Sequence, residues 1–422
     1  MYGVLQLPEI QSLQTLSRDG RLLFATRMIR MFAYGSIAIV LGLYLAQVGL
    51  SDTQIGLVLS LTLLGDAAIS LPITIIADRL GRRRMLIAGS GLMIFAGVVF
   101  ALTSNITLLI ITAIIGTISP SGNEVGPFLA VEQAALPQTT TDKQRTQVFA
   151  WYSLLGSIMT GLGSLTAGLV AQTLQNAGQA PLVSYRVVIV GYALLGAVLG
   201  VMFTRLSPAV EIQSAQGPVT LQSLFGLKRS RGIVTHLSLL FMIDAFAGGL
   251  VVQSLVALWF NRRFGVDPAV IGAIYFGANF FAGLSALAAA RVAARYGLVN
   301  TMVFSHVPSN ILLILVPLMP TLPLAILVLL ARFSISQMDV PTRQSYTVAV
   351  VDPDERSAAN GITNLARTTA AALSPAATGA LFSAGGIWIS APFILAGGMK
   401  LVYDFLLYRS FVTVKPPEEI KS

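Results

Sequence analysis

Residues 77–103 read ADRLGRRRMLIAGSGLMIFAGVVFALT. Arg79, Arg82, Arg83 and Arg84 crowd together, and then no charged side chain appears from Met85 to Thr103. A bilayer core of about 30 Å is crossed by about 20 apolar residues in helical form. The stretch therefore reads as a cationic loop followed by one membrane span. The same alternation continues in both directions. Apolar segments lie at 22–48, 54–76, 85–103, 106–131, 147–173, 187–205, 234–260, 269–290, 299–318, 322–347, 358–383 and 387–409. Linkers such as Thr103 to Asn105 and Met319 to Leu322 are so short that neighbouring helices must be antiparallel. The expected fold is an all-α membrane protein with twelve transmembrane helices.

Composition supports this reading. Of 422 residues, 55% are hydrophobic and only 11% charged, whereas a soluble domain carries roughly 25% charged residues. The mean hydropathy is +0.77. Glycine is abundant at 38 residues, as helices that approach closely in lipid require. Residues 1–20 are mixed and polar and do not read as a cleavable leader.

Basic residues give the orientation. With a cytoplasmic N-terminus, eighteen Lys and Arg residues face the cytoplasm and only Arg186, Arg262 and Arg263 face outward. This is a strong positive-inside bias. It places both termini in the cytoplasm; the expected location is the plasma (inner) membrane. Trp151, Trp259 and Trp388 fall near span ends, where interfacial anchors are expected.

The longest internal linker, 206–233, falls between spans 6 and 7. It divides the chain into bundles 1–205 and 234–422. A shift of 216 residues places Ile55-Gly56 on Ile271-Gly272 and Arg79-Leu80-Gly81 on Arg295-Tyr296-Gly297. Near the same offset, Glu124-Val125 falls on Asp339-Val340. These matches indicate a duplication, with two six-helix bundles related as parallel repeats about the membrane normal.

The loop after span 2 resembles the cytoplasmic signature of the major facilitator superfamily, G-x-x-x-D-R-x-G-R-R. Here the D-R-x-G-R-R core is Asp78, Arg79, Gly81, Arg82 and Arg83, while Thr74 stands for the leading Gly. The second half holds a degenerate copy with Ala294 in place of the Asp. The resemblance implies alternating access, with spans 1, 4, 7 and 10 lining a central cavity. It also implies that Asp78 and its basic neighbours form a conformational latch against span 11, to which Arg367 is assigned here. Two features depart from the family's proton-coupled antiporters. Thr112 stands where their span 4 Arg precedes a Gly, and span 5 has glycines without the Gly-Pro pair.

Ionisable residues within spans cost about 2.5–3.5 kcal/mol each on insertion scales and mark pathways or relays. Glu124, Asp339, Asp244 and Asp66 are the proton-coupling candidates. Such a carboxylate can hold its proton when buried and release it when a cavity opens to water. Glu124 and Asp339 occupy equivalent places in spans 4 and 10. Both lie in broken helix, marked by Pro120, Gly122, Gly126 and Pro127 in one and Pro341 in the other. Interrupted helices at matching places in two halves point to a transporter's binding site. Arg332, Arg343 and Arg30 could hold an anionic group of a solute, and Tyr34, Phe276 and Tyr346 could supply aromatic lining. Lys400 and Asp404 share a helical face and could pair. Arg27 and Arg30 could snorkel to the surface.

Other classes fit poorly. With no cysteine and two histidines, no metal site is expected. No G-x-x-x-x-G-K-[ST] occurs, so no ATP hydrolysis is expected. Enzyme activity and cofactors are not expected either. The net charge of +9 is distributed between spans rather than gathered on one patch, which argues against nucleic acid. The expected function is secondary transport of a small organic solute, proton-coupled, with export as the first direction. The alternatives are proton-coupled uptake of a small organic anion, or a non-transporting sensor or channel of the same fold. The expected partners are a small-molecule substrate, protons and the lipid bilayer, and the expected state is a monomer.

Overall fold

The computed structural model describes residues 16–126, 128–135, 145–211, 227, 229–352 and 355–414. Fifteen α-helices appear among them. In chain order they are α1 (Arg18–Val48), α2 (Asp52–Leu80), α3 (Arg82–Leu102), α4 (Ile106–Ile115), α5 (Phe128–Ala135), α6 (Arg145–Asn176) and α7 (Pro181–Phe203). The second half has α8 (Arg231–Leu250), α9 (Gln253–Phe264), α10 (Pro268–Tyr296), α11 (Leu298–Leu315), α12 (Leu322–Phe333), α13 (Asp339–Ala349), α14 (Arg356–Ala384) and α15 (Ala391–Phe411). Three spans are broken in two: α4 with α5 forms span 4, α8 with α9 span 7, and α12 with α13 span 10. The remaining nine helices are one span each. The result is an all-α membrane protein of twelve spans in two six-helix bundles.

Local signals set the ends. Ser17 caps α1 by accepting the Gly20 amide at 3.1 Å. Gly49 closes that helix at φ 98° with the paired amide bonds of a Schellman turn. Asn105 caps α4 through the amides of Thr107 and Leu108. The duplication noted in the sequence has a backbone meaning. Gly81 and Gly297 both take positive φ, at 100° and 85°, in the turns after spans 2 and 8. A side chain there would strain the turn.

The breaks have different origins. Span 4 opens between Gly116 and the start of α5, where Gly122 and Gly126 take positive φ. In span 10 the break lies at 334–338, upstream of Asp339. Pro341, read from sequence as the interruption, sits in the first turn of α13 instead, where no intrahelical donor is lost. The break in span 7, at Val251 and Val252, has no proline and interrupts a stretch that reads as one continuous apolar span. Among the described residues, nine helical segments are long and apolar enough to cross a membrane by composition alone. α14 is not one of these. Rich in Thr, Asn and Ala, it is sheltered by packing against α8 and α2.

The halves meet along α6 with α10, α2 with α14, and α1 with α9. Several polar contacts cross between them from the end that holds the 1–2 and 7–8 connections toward the middle. Arg262 pairs with Asp52 at 2.5 Å. The Ala376 amide donates to Ser60 Oγ at 2.9 Å. Ser254 donates to the carbonyls of Ala38 and Pro120 at 2.7 and 2.8 Å. Gly56 and Gly379 allow α2 and α14 to touch: a Cβ on Gly56 would lie 2.8 Å from Gly379 Cα. Gly379→Val is expected to pry this end apart. With the protein free of native cysteine, spin labels at Gln54→Cys and Ser383→Cys should report a longer distance than in the parent. An unchanged distance would mean that the crossing does not hold this end closed.

Trp259 departs from the expected interfacial role. It is fully buried, with ring centroids 4.6 Å from Phe393 and 5.0 Å from Phe260. Trp388 is 51% exposed.

Candidate functional site

A cavity of about 520 Å³ lies where the three broken spans converge. Each break contributes to its wall: Ser121 and Asn123 from span 4, Val251 and Val252 from span 7, Ser336 and Gln337 from span 10. Leu63 and Ser157 add further contacts from the first half, but most of the wall belongs to the second.

The wall carries a ring of charges centred on Asp244 in α8. One carboxylate oxygen receives Lys400 of α15. The other receives Arg343 of α13 and Arg367 of α14, both at 3.2 Å. The same Nη1 of Arg343 also donates to Asp339 at 2.7 Å. His306 of α11 stands between two acids, with Nδ1 2.8 Å from Asp404 and Nε2 3.9 Å from Asp244. Asn310 donates to the second Asp404 oxygen at 2.8 Å. Phe241 lies under the guanidinium groups of Arg343 and Arg367, at 5.6 and 5.9 Å from its centroid. Removing charges from water is costly unless they are paired, and five spans supply the pairing here.

A second charge cluster lies inside the first half, off the cavity wall. Arg30 is completely buried and forks onto both oxygens of Glu132 at 2.7 and 2.6 Å. Its Nε donates to Glu124 at 2.6 Å. Arg27 takes the other Glu124 oxygen at 2.7 Å and lies 4.1 Å over the Tyr152 ring. The Tyr152 hydroxyl donates to Glu132. Two cations thus meet two anions.

These placements revise several expectations from sequence. Arg27 and Arg30 do not snorkel; both are buried and paired. Every guanidinium nitrogen of Arg30 is engaged, and the residue is completely buried off the cavity wall, out of reach of a solute there. Lys400 and Asp404 do not pair with each other, since each turns to a different partner. Arg367 reaches the Asp244 ring. The backbone amides of Arg82 and Arg83 donate to Glu211 of the linker at 2.7 and 3.2 Å, and the Arg83 side chain donates to the Thr204 carbonyl at 2.5 Å. Asp78 and Arg79 lie in α2, but their side chains fall outside the described residues. Asp66 is off the cavity wall and accepts the Gly126 amide, which fixes the turn in span 4. Tyr34 is fully buried and supports the same turn through the Val125 carbonyl at 3.0 Å. Tyr346 is also fully buried and donates to the Val414 carbonyl at 2.9 Å. Phe276 stacks on Phe280 at 6.5 Å rather than lining the cavity. Of the sequence candidates, Asp244, Asp339, Arg332, Arg343 and Arg367 do line it.

The sequence profile of the Major Facilitator Superfamily matches residues 23–257 and again 237–422. The chain belongs to the major facilitator superfamily. As a member of that superfamily it is an integral membrane protein and a transporter by type. It is 29% identical to an uncharacterized membrane protein of Saccharomyces cerevisiae, over 94% of this chain and 95% of that one. Among solved structures, the nucleoside transporter NupG superposes with a TM-score of 0.72 at 16% identity, covering 94% of this chain and 99% of that chain. A bacterial homolog of the human lysosomal transporter Spinster, inward-facing and unoccupied, does so with the same score, identity and coverage. At such identities the likeness is one of fold. Among the described residues no cluster of three or more potential metal-ligating side chains occurs.

Proposed function

We propose that this major facilitator moves a small organic solute by alternating access, coupled to protons, in the direction of export. In this reading the bundles 1–205 and 234–422 rock as units about the central cavity, in the plasma membrane, as a monomer with both termini in the cytoplasm. The arginine-rich loops then lie inside, and the end clamped by Asp52 with Arg262 faces outward. The cavity is loaded from the cytoplasm in that state, as export requires.

The observation that carries the coupling is the sharing of one nitrogen. Arg343 Nη1 serves Asp339 at 2.7 Å and Asp244 at 3.2 Å. A proton on Asp339 cancels the charge of the closer partner and shifts Arg343 toward Asp244. Lys400 and Arg367, which also depend on Asp244, then lose part of their hold. One proton thus reorganises contacts among spans 7, 10, 11 and 12. Glu124 and Asp66, off the cavity wall, are assigned structural roles.

Asp339→Asn tests this without stranding Arg343, which keeps Asp244. In proteoliposomes loaded with a pH-sensitive dye, the variant is expected to retain solute exchange. It should lose at least about tenfold of the solute-driven proton movement, equivalent to about 1.4 kcal/mol of coupling. Undiminished proton movement in Asp339→Asn would remove this residue from the coupling step.

A further inference from the structure

Arg332 at the end of α12 faces the cavity, and among the described residues it has no ion pair or hydrogen-bonding acceptor. Its Nε is buried without a partner, and the nearest ring, that of its neighbour Phe333, is 4.9 Å from the guanidinium carbon. One turn on, the buried Ser336 Oγ also lacks a partner on the same wall. The backbone fixes their spacing, since the Ser336 amide donates to the Arg332 carbonyl at 3.0 Å. Around the wall, among the described residues, Arg332, Arg343, Arg367 and Lys400 face only Asp244 and Asp339. The third acid, Asp404, lies behind His306 and is 1% exposed. Even with Asp404 counted, one cation remains uncompensated. Arg332 is half-buried with only its Nε sealed, so the rest of its unpaired guanidinium stays open to a group that arrives from outside the chain.

We infer that Arg332 and Ser336 bind the carboxylate of a monoanionic, largely apolar organic solute. The inference rests on the transporter reading above and names its substrate class. A guanidinium meets a carboxylate with matched, charge-assisted hydrogen bonds. Phe333, Phe393, Leu313, Leu329 and Val256 supply the apolar part of the wall. A cavity of about 520 Å³ lies within the range of roughly 300–1,000 Å³ that holds compact organic ligands. An inside-negative potential also drives an anion outward. This agrees with export.

The test uses purified full-length protein and three matched pairs: phenylacetate, cinnamate and hexanoate, each with its amide. In thermal-shift titrations the carboxylate of at least one pair is expected to stabilise the protein, and its amide not to. Arg332→Gln should weaken that carboxylate by about 10- to 100-fold, the range expected for a charged hydrogen bond, with Arg332→Lys falling between. Without ligand, Arg332→Gln should melt no lower than the parent, because it removes an unpaired cation. No acid–amide difference in any pair, carboxylate binding that survives Arg332→Gln, or a lowered melting temperature in ligand-free Arg332→Gln would each overturn the inference. Flux in proteoliposomes separates this from the transporter reading. Arg332-dependent binding without gradient-driven flux would sink the transporter and leave the anion site standing. Gradient-driven flux of the amides alone would do the reverse.

Discussion

Asp244→Asn is expected to destabilise the protein by about 3–5 kcal/mol, the usual cost of removing one partner from a buried ionic cluster. The substitution keeps shape and volume but deletes the charge on which Lys400, Arg343 and Arg367 converge. Arg343 retains Asp339, so the loss falls mainly on Lys400 and Arg367. A lowered melting temperature of the purified protein would report it. The specific signature is rescue. Adding Lys400→Met to Asp244→Asn removes the stranded ammonium and should recover part of the loss, with a coupling of about 1–3 kcal/mol in the double-mutant cycle. Gradient-driven transport should remain absent in the rescued protein, because the ring that responds to the proton is gone. If Asp244→Asn melts within about 0.5 kcal/mol of the parent, or Lys400→Met deepens the defect, Asp244 is not the hub.

The sequence shows the architecture plainly because the bilayer imposes one length and one polarity on every span. Twelve apolar blocks, the arginine bias and the Gly81 and Gly297 turns all follow from local composition. The site is less legible because its contacts are distant in the chain. Asp244 meets partners 99, 123 and 156 residues away, and nothing local to Asp244 names them. Lys400 and Asp404, four apart, suggest the nearest pairing, but each has a better partner on another helix. His306 passes unnoticed because a lone histidine in an apolar span has no local signature. Glu132 is missed for a different reason. Apolar length alone ends span 4 at 131, but the open turn after Gly116 lengthens the crossing and carries Glu132 into the core. The Gly and Pro density there signals the break, and a span extended to allow for it would include Glu132.

The two halves use similar helices for different electrostatic ends. In the first, Arg27 and Arg30 are balanced by Glu124 and Glu132, and the cluster lies off the cavity wall. In the second, cations outnumber acids and face the cavity. Mobility of charge is needed only where a proton or solute must change the pairing. A balanced, fully hydrogen-bonded cluster resists such change, while a ring in which one nitrogen serves two carboxylates can shift with a single proton.

That contrast predicts opposite responses to removing charge. Glu132→Gln alone is expected to cost about 3–5 kcal/mol, because Arg30 loses its forked acceptor at 2.7 and 2.6 Å and Tyr152 loses the carboxylate it donates to. Arg30→Met alone should cost a similar amount by leaving Glu132 buried with only hydroxyl donors, Tyr152 and Thr26 at 3.4 Å. Combining Arg30→Met with Glu132→Leu removes both charges, and replacing a buried pair with apolar residues of similar volume is often neutral or stabilising. Glu124 keeps Arg27 at 2.7 Å in that background. The double variant should therefore recover most of the melting temperature and retain gradient-driven flux, unlike the rescued Asp244 variant. A double variant that melts like the parent yet has lost gradient-driven flux would place the first-half cluster in the coupling step and refute the division drawn between the halves.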